Sequence, residues 1–194
     1  MILSKTLVVL VSGKAGVGKT TLSKLLLDKF AEKEDLSSFI IPFASSLKKV
    51  ATMLGWDGKK DCKGRKLLQH LGGVLREYDT STWVRLSYGF ISSAPMDIEV
   101  VISDDWRFPD ECRYLKENPA YQVFTIRVEA PDREILKGTP EYDDVSETSL
   151  PSGFTVESES VYDLEVRNDG TLEELNTTAD NVVQYILDNC QRWR

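Results

Sequence analysis

The sequence predicts a three-layer α/β fold, with a parallel sheet between two layers of helices. An apolar run over Leu7–Val11 leads through a glycine-rich turn into a helical pattern. Further apolar strands alternate with helical segments along the chain, as they do in βαβ units. The 194 residues suffice for one domain with its own core, and the sequence contains no internal repeat or interdomain linker.

The composition is typical of a soluble globular protein, with 41% hydrophobic and 28% charged residues. No apolar run reaches the length of a membrane span and the N-terminus is not a secretion signal, so we expect a cytoplasmic protein. Three widely spaced cysteines, Cys62, Cys112 and Cys190, indicate free thiols in a reducing compartment. The single histidine, His70, and the lack of a C-x-x-C pair argue against a zinc site.

The net charge of −7 is unevenly distributed. Residues 47–76 carry eight basic and two acidic side chains, whereas residues 129–174 carry three basic and fourteen acidic ones. An acidic chain argues against nucleic-acid binding, and a basic segment within it suits a small phosphorylated ligand. For the lysines of this segment a solvated surface is the simpler interpretation, but not for its arginines.

The turn after the first strand matches the phosphate-loop pattern G-x-x-x-x-G-K-[ST], with a strand before it and a helix after it. Glycines let backbone N–H groups turn inward, and the helix N-terminus favours an anion. Lys19 would reach the β- and γ-phosphates of ATP, and the Thr20 hydroxyl would ligate Mg²⁺. The predicted contacts to ATP are Gly13, Lys14, Ala15, Gly16, Val17, Gly18, Lys19, Thr20 and Thr21. A chance glycine-rich turn is the alternative, which this context disfavours.

The remaining elements are predicted in order from hydrophobic periodicity and from helix start signals. Pro109 and the capping box Thr171–Glu174 mark two helix starts. The predicted strands are Thr6–Val11, Phe39–Ile41, Ile98–Ile102, Val123–Glu129 and Val161–Val166. The predicted helices cover Lys19–Phe30, a segment ending near Leu54, Gly64–Tyr78, Ser81–Ser92, a segment starting at Arg107, and a last segment ending near Cys190. We expect the strand Phe39–Ile41 to be buried in the core, together with one face of each of three helices. These faces are Leu67, Leu68, Leu71 and Leu75 in the first helix, Trp83, Leu86 and Phe90 in the second, and Leu172, Leu175, Val182, Val183 and Ile186 in the last.

The helix over Gly64–Tyr78 carries a narrow polar stripe. Its residues lie within about 60° of one another at about 100° per residue; they are Arg65, Gln69, Gly72 and Arg76. Glycine in a helix costs about 1 kcal/mol relative to alanine, so Gly72 and Gly73 indicate close approach of a ligand or another backbone, or a helix break. A ligand is favoured over a solvated face, which would more usually include acids.

Two further features suggest parts of a site. The strand Ile98–Ile102 ends at Ser103-Asp104-Asp105, and such an aspartate downstream of a phosphate loop is typical of the acid that holds Mg²⁺ through water. Turn chemistry also places aspartate at strand ends. The polar, acidic segment 132–153 is long for a loop in a compact domain, which suggests a lid.

Several stretches, spread over most of the chain, match a single known family in their order and spacing. They are Gly13–Thr20, Phe43-Ala44 with Leu47-Lys48, Gly55–Lys60, Gly64-Arg65, Leu68-Gln69, Leu71-Gly72, Arg76, Trp83, Asp105–Glu111, Arg127-Val128, Ser146–Thr148 and Asn168–Thr171. Together they resemble the deoxynucleoside monophosphate kinases encoded by tailed bacteriophages. The resemblance implies a P-loop kinase fold in a single domain, 1–194, with monophosphate-binding helices over about 43–95 and a lid over about 131–153.

The resemblance also implies an activity. It would be Mg²⁺-dependent transfer of the γ-phosphoryl group of ATP to a deoxynucleoside 5′-monophosphate for DNA precursor synthesis, in the host cytoplasm, by a monomer or homodimer. The implied catalytic residues are Lys19, Arg107 and Asp105, with Asp105 beside Thr20 at Mg²⁺ or orienting Arg107. The implied substrate-binding residues are Lys48, Arg65, Gln69, Arg76, Trp83 and Arg107, and the implied lid residues are Arg133, Ser146 and Glu147.

Two residues depart from the family pattern. Ser45 stands where the family often has aspartate, and Asp144 stands where it often has histidine. The first leaves the acceptor contacts open, and the second leaves the lid's role open. Base preference and selectivity for deoxyribose do not follow from the sequence, because pocket shape decides them.

Two alternative functions remain. Animal phosphomevalonate kinases share a distant resemblance, so another small phosphorylated acceptor is possible. Alternatively, the loop with Lys14 resembles the deviant phosphate loop of dimeric switch ATPases, in which the early lysine reaches a partner's nucleotide. Ala15 in place of a glycine and the short chain argue against the switch.

Overall fold

The computed structural model describes residues 5–89, 91, 98–151, 153–156 and 159–189. Its strands are β1 Thr6–Ser12, β2 Ser38–Ile40, β3 Val100–Ser103, β4 Tyr121–Glu129, β5 Thr155–Val156, β6 Glu159–Ser160 and β7 Leu164–Arg167. Its helices are α1 Lys19–Glu34, α2 Ala44–Met53, α3 Cys62–Tyr78, α4 Thr82–Tyr88, α5 Pro109–Glu117, α6 Val145–Thr148 and α7 Leu172–Asn189, with 3₁₀ turns at Pro131–Arg133 and Pro140–Asp143. Phe90, Ser92 and Cys190, named in the predictions, lie outside the described residues.

Five strands form a parallel sheet in the order β2-β3-β1-β4-β7. β1 lies at the centre, and its residues Leu7–Val11 are fully buried. The chain places β2 and β3 on one side of β1 and β4 and β7 on the other. In open parallel sheets such a reversal of strand order marks the place where ligands bind, beyond the carboxyl ends of the strands.

Helices cover both faces of the sheet, which confirms the three-layer fold. Val9 and Val11 of β1 pack in a cluster with residues of α1 and α7. Val8 and Leu10 pack in a second cluster with residues of α4 and α5. This alternation follows from the two-residue period of side chains along a strand. β5 and β6 form a separate antiparallel ribbon.

Two predicted core positions at the ends of the fold are wrong. Phe39 is 38% exposed, because β2 is an edge strand with a neighbour on one side only. Leu172 is 65% exposed, because it is the first residue of α7. The capping box before it is confirmed: the Thr171 N–H donates to Oε2 of Glu174 at 2.6 Å, and the Glu174 N–H donates to Oγ1 of Thr171 at 3.2 Å.

The predicted leucine face of α3 is also wrong. α3 packs on α2 and α4, and the residues it buries are Gly64 and Gly72. Leu67 is exposed, and Leu68, Leu71 and Leu75 are half-buried. In α4 the buried residues are Trp83, Val84, Ser87 and Tyr88, whereas Leu86 is exposed. The inward face of α3 is therefore the one that contains the polar stripe.

Two further predictions are tested only for the described part of the chain. No helix in this part is long and apolar enough to cross a membrane. Cys112 is buried and forms no disulfide with another described residue.

Candidate active site

The phosphate loop lies at the carboxyl end of β1, between that strand and α1. Gly13, Gly16 and Gly18 have φ angles of 145°, 93° and 96°, a region that side chains other than hydrogen disfavour. Space is also limited, since a Cβ at Gly18 would lie 2.3 Å from Nδ2 of Asn168. The glycine spacing of the motif is thus required by both backbone conformation and packing.

The amino group of Lys19 is folded back over this loop. Its Nζ donates to the carbonyl oxygens of Gly13 at 2.7 Å and Lys14 at 2.8 Å. Burial, followed by the positive charge of Arg107, lowers its pKa to about 8. An anion bound at the loop would favour the charged form of Lys19 and offset the cost of burying its positive charge.

The two aspartates after β3 contact different elements. Thr20 Oγ1 donates to Oδ2 of Asp104 at 2.6 Å, so the carboxylate beside the phosphate-loop threonine is Asp104. Asp105 instead accepts hydrogen bonds from the backbone N–H groups of Phe43 at 2.7 Å and Ala44 at 2.9 Å, at the start of α2. Burial raises the pKa of Asp105, and the two N–H donors oppose the rise. The family resemblance implied that Asp105 lies near Mg²⁺ or orients Arg107, whereas the carboxylate that contacts Thr20 in the structure is Asp104.

Arg107 contacts the segment that was predicted as a lid. Its Nη1 donates to the Ser146 carbonyl at 2.8 Å and forms a salt bridge with Glu147. The second carboxylate oxygen of Glu147 accepts a hydrogen bond from the N–H of Ala15 at 3.1 Å. The Glu147 side chain, 5% exposed, therefore occupies an anion-binding amide of the phosphate loop and pairs with Arg107 at the same time. Asp144 caps α6 by accepting from the Ser146 N–H at 2.8 Å.

Other lid residues also contact the phosphate loop. The Ile135 N–H donates to the Ala15 carbonyl at 3.1 Å. Lys14 donates to the Tyr142 carbonyl at 3.1 Å, and its Nζ lies 3.9 Å from the centre of the Tyr142 ring. Arg133 donates to the Asp169 carbonyl at 3.2 Å. The segment predicted as a lid is thus closed over the loop.

An open cavity lies on the outer side of the loop. Its lining includes Asn168, whose Nδ2 donates to the Val17 carbonyl at 2.9 Å. The residues that line the cavity are Gly16, Gly18, Thr21, Arg133, Asn168, Thr171, Leu172 and Leu175. Asn168 was not among the predicted site residues, since Asn-Asp-Gly after a strand indicates only a turn.

Arg65 of the α3 stripe is one of several basic side chains whose charges act on one another. Arg65 and Gln69 are half-buried, as is Lys48 on α2. Lys60, which the sequence did not single out, has its pKa lowered by Lys48 first, then by burial, Arg65 and Arg107. These four side chains, Lys48, Lys60, Arg65 and Arg107, are here called the cationic cluster. Such a concentration of positive charge is stabilised when an anion binds.

Arg76 and Trp83 complete the residues predicted at this end of the site. The guanidinium of Arg76 lies 3.8 Å from the centre of the Phe108 ring and 3.5 Å from Oε1 of Glu111. Trp83 is buried, and its Nε1 donates to the Gly72 carbonyl at 3.2 Å. The predicted contact of Trp83 with a substrate is wrong, because the Trp83 side chain lies in the core and supports α3.

Solved structures with this arrangement of elements are known. A gluconokinase from Sinorhizobium meliloti 1021 matches with a TM-score of 0.52 and 14% identity, over 97% of each chain. The protein APE1195 matches with a TM-score of 0.51 and 18% identity, over 96% of this chain and 98% of its own. At such identities the likeness shows the fold alone, and that fold is the predicted three-layer α/β arrangement.

Sequence comparison adds no family. No family model matches the chain, and no curated protein matches it significantly.

Proposed function

We propose that the protein transfers the γ-phosphoryl group of ATP to a deoxynucleoside 5′-monophosphate, giving ADP and the diphosphate. The observation that carries this proposal is a pair of positively charged regions close to each other. The phosphate loop with Lys19 is one, and the cationic cluster beside the α3 stripe is the other. Arg107 is close enough to both regions for its charge to lower the pKa of Lys19 and that of Lys60. The nucleotide nature of the acceptor rests on the sequence resemblance.

The donor would bind as its magnesium complex. Loop N–H groups and Lys19 would hold the phosphates. The Thr20 hydroxyl and the Asp104 carboxylate, 2.6 Å apart, offer the oxygen ligands that Mg²⁺ prefers, directly or through water. Bound Mg²⁺ would offset the negative charge of the phosphates. The base and ribose would extend into the cavity beside Arg133 and Asn168, since that cavity opens next to the loop.

The acceptor would bind against α2 and α3. Arg65, Gln69 and Arg76 share one face of α3, and the charges of Lys48 and Arg65 both act on Lys60. A phosphate monoester carries close to two negative charges at neutral pH, so it needs several cations when it is removed from water. Its oxygen would attack the γ-phosphorus, and ADP would leave with the electron pair of the broken bond. Arg107 is placed to stabilise charge on the group in transit.

The lid would have to change partners when ATP binds. Glu147 now accepts the Ala15 N–H and pairs with Arg107, and a phosphate needs both groups. Entry of the nucleotide would therefore displace the carboxylate and free Arg107 for transfer. A lid that closes again over the bound phosphates would exclude water as a competing acceptor.

The decisive experiment is an assay of ADP release across the common ribo- and deoxynucleoside monophosphates and phosphomevalonate. We expect ADP only when a ribo- or deoxynucleoside monophosphate is present. Turnover with phosphomevalonate and with no nucleoside monophosphate would show that the acceptor is not a nucleotide. ATP hydrolysis that depends on self-association would instead indicate a switch ATPase, although Lys14 contacts Tyr142 of its own chain. No ADP under any condition would refute the proposal.

A further inference from the structure

Glu111, in the first turn of α5, is a buried carboxylate that contacts two arginine-bearing segments. Its side chain is 2% exposed. Oε2 accepts hydrogen bonds from the backbone N–H groups of Arg107 at 3.0 Å and Phe108 at 3.1 Å. Oε1 lies 3.5 Å from Nη2 of Arg76 on α3. One carboxylate thus joins α3 to the loop between β3 and α5.

Arg76 has few other contacts that fix its position. Its guanidinium stacks on the Phe108 ring, and Phe108 is itself held by Glu111 through its N–H. Within the described part of the chain, the buried Nε of Arg76 has no hydrogen-bond partner. The absence of a side chain at Gly72 leaves room for the guanidinium, since a Cβ there would lie 3.1 Å from Nη1. The orientation of Arg76 therefore depends on Glu111 directly and through Phe108.

We propose that Glu111 is a positioning residue, which orients the Arg76 guanidinium toward the acceptor phosphate and fixes the backbone at Arg107. The inference rests on the proposed function. Glu111 is at N3 of α5, where it accepts from the N-cap N–H of Phe108, and a neutral glutamine can fill this capping-box position. A buried carboxylate is costly unless a cation compensates it. Arg76 is the cation in contact with Glu111, so this arginine compensates the buried charge at position 111.

The acceptor KM should then depend on pH. Burial raises the pKa of Glu111 to about 7, and Asp105 at the end of β3 adds to the rise. Arg76 on α3 and the N–H groups of Arg107 and Phe108 favour the charged form. Protonation below pH 7 would weaken the hold on Arg76 and raise the KM. The acceptor phosphate itself titrates near pH 6, so the dependence of the acceptor KM on pH is also measured in Glu111→Gln. This variant should retain only the change in KM that comes from titration of the phosphate.

A double-mutant cycle tests whether Glu111 acts through Arg76. Glu111→Gln keeps an oxygen for the two N–H groups and removes the charge, so we expect the KM for the monophosphate to rise about tenfold, with the KM for ATP unchanged. In an Arg76→Ala background the same substitution should cause no further rise. Equal rises in both backgrounds would overturn the proposal. Glu111→Ala also releases the N–H groups, so kcat should fall as well.

Asp110→Asn is the matched control. Asp110 is the neighbouring carboxylate on α5 and pairs with Arg113 at 2.8 Å on the exposed side. Removal of its charge should leave both KM values unchanged.

A spectroscopic measurement separates this inference from the proposed function. The Nε–H signal of Arg76 in a ¹⁵N spectrum is identified by its loss in Arg76→Lys. The Nε proton should exchange with solvent at least about tenfold faster in Glu111→Gln than in the wild type. It should not change in Asp110→Asn. Faster exchange without turnover of any monophosphate would refute the proposed function and support the positioning of Arg76. Unchanged exchange in Glu111→Gln would overturn the positioning role whatever the assay shows.

Discussion

At the residue scale, the consecutive aspartates after β3 contact opposite sides of the sheet. Successive side chains of a strand alternate in direction: Ile102 packs in the cluster that contains α1, and Val101 in the cluster that contains α4. Continuing this alternation sends Asp104 toward Thr20 and Asp105 toward α2. The sequence predicted an acid at this strand end. Choosing between the two required the direction of each side chain, which the motif alone does not give.

Asp104→Asn tests the assignment of the metal-side carboxylate. The amide can still accept the Thr20 hydrogen bond but carries no charge, so the Mg²⁺ concentration for half-maximal rate should rise about tenfold or more. The measurement is ADP release against Mg²⁺ at a fixed, saturating ATP concentration. Asp105→Asn is the comparison and should leave the Mg²⁺ requirement unchanged. A raised Mg²⁺ requirement in Asp105→Asn and not in Asp104→Asn would mean that Asp105 is the carboxylate near the metal.

At the scale of single elements, α3 shows what periodicity can and cannot predict. The spacing of Arg65, Gln69 and Arg76 correctly placed them on one helix face, because that follows from helix geometry. The spacing of the leucines defined a face equally well, but not what would cover it. α3 lies on α2 and α4 at the edge of the molecule, so its apolar side stays partly exposed.

The adjacent glycines of α3 provide a matched pair of substitutions. A Cβ at Gly72 would press on the Arg76 guanidinium, whereas a Cβ at Gly73 would meet nothing within 4 Å. Gly73→Ala should stabilise the protein by up to about 1 kcal/mol and leave the acceptor KM unchanged. Gly72→Ala should raise that KM because it displaces Arg76. Urea unfolding and initial-rate kinetics measure the two effects, and equal KM values in both variants would contradict this account of Gly72.

The lid is the second element that the sequence predicted only in part. Its length and polarity indicated a mobile cover, but not the closed contacts between residues far apart in the chain. Ala15 and Glu147 are 132 positions apart, and no local pattern predicts their meeting. Under the proposed function, nucleotide phosphate and Glu147 would compete for the Ala15 N–H and for Arg107.

Glu147→Gln is expected to tighten nucleotide binding several-fold, since a neutral amide competes less well with phosphate for Arg107 and the loop. The measurement is calorimetric titration with a non-hydrolysable ATP analogue and Mg²⁺. Asp143→Asn removes an exposed charge from the same lid and should not alter the affinity. Weaker binding in Glu147→Gln would mean that the carboxylate supports the nucleotide rather than competing with it.

At the scale of the whole molecule, alternation of strands and helices and one glycine-rich turn were enough to predict the architecture. These signals are local, and the rules that connect parallel strands leave few arrangements. The ion pairs of the site were not predictable in the same way. Arg76 and Glu111 meet across two elements, and the pairing depends on how α3 docks rather than on any spacing in the sequence.

The buried charge of Glu111 should lower global stability at neutral and higher pH. Its pKa in the folded protein is raised to about 7 from 4.5, so its contribution to stability is complete below pH 4.5 and is lost as pH rises through 7. Glu111→Gln should therefore melt at a higher temperature than the wild type at pH 8. The difference should narrow as the pH is lowered toward 4.5. Thermal unfolding at several pH values measures it, and a lower melting temperature at pH 8 would contradict the sign.

Because Asp104 and Asp105 are consecutive, a single planar peptide unit links the phosphate-loop threonine to the start of α2. Their Cα atoms are about 3.8 Å apart in any trans chain, so neither carboxylate can move along the strand without the other. A slip of β3 by one residue would put a neighbouring residue at each of the two positions, so an aspartate would remain either beside Thr20 or at the start of α2, but not at both. A one-residue insertion or deletion before this pair would therefore leave one of the two contacts without its carboxylate. The peptide unit therefore fixes the distance between the Thr20 contact and the start of α2.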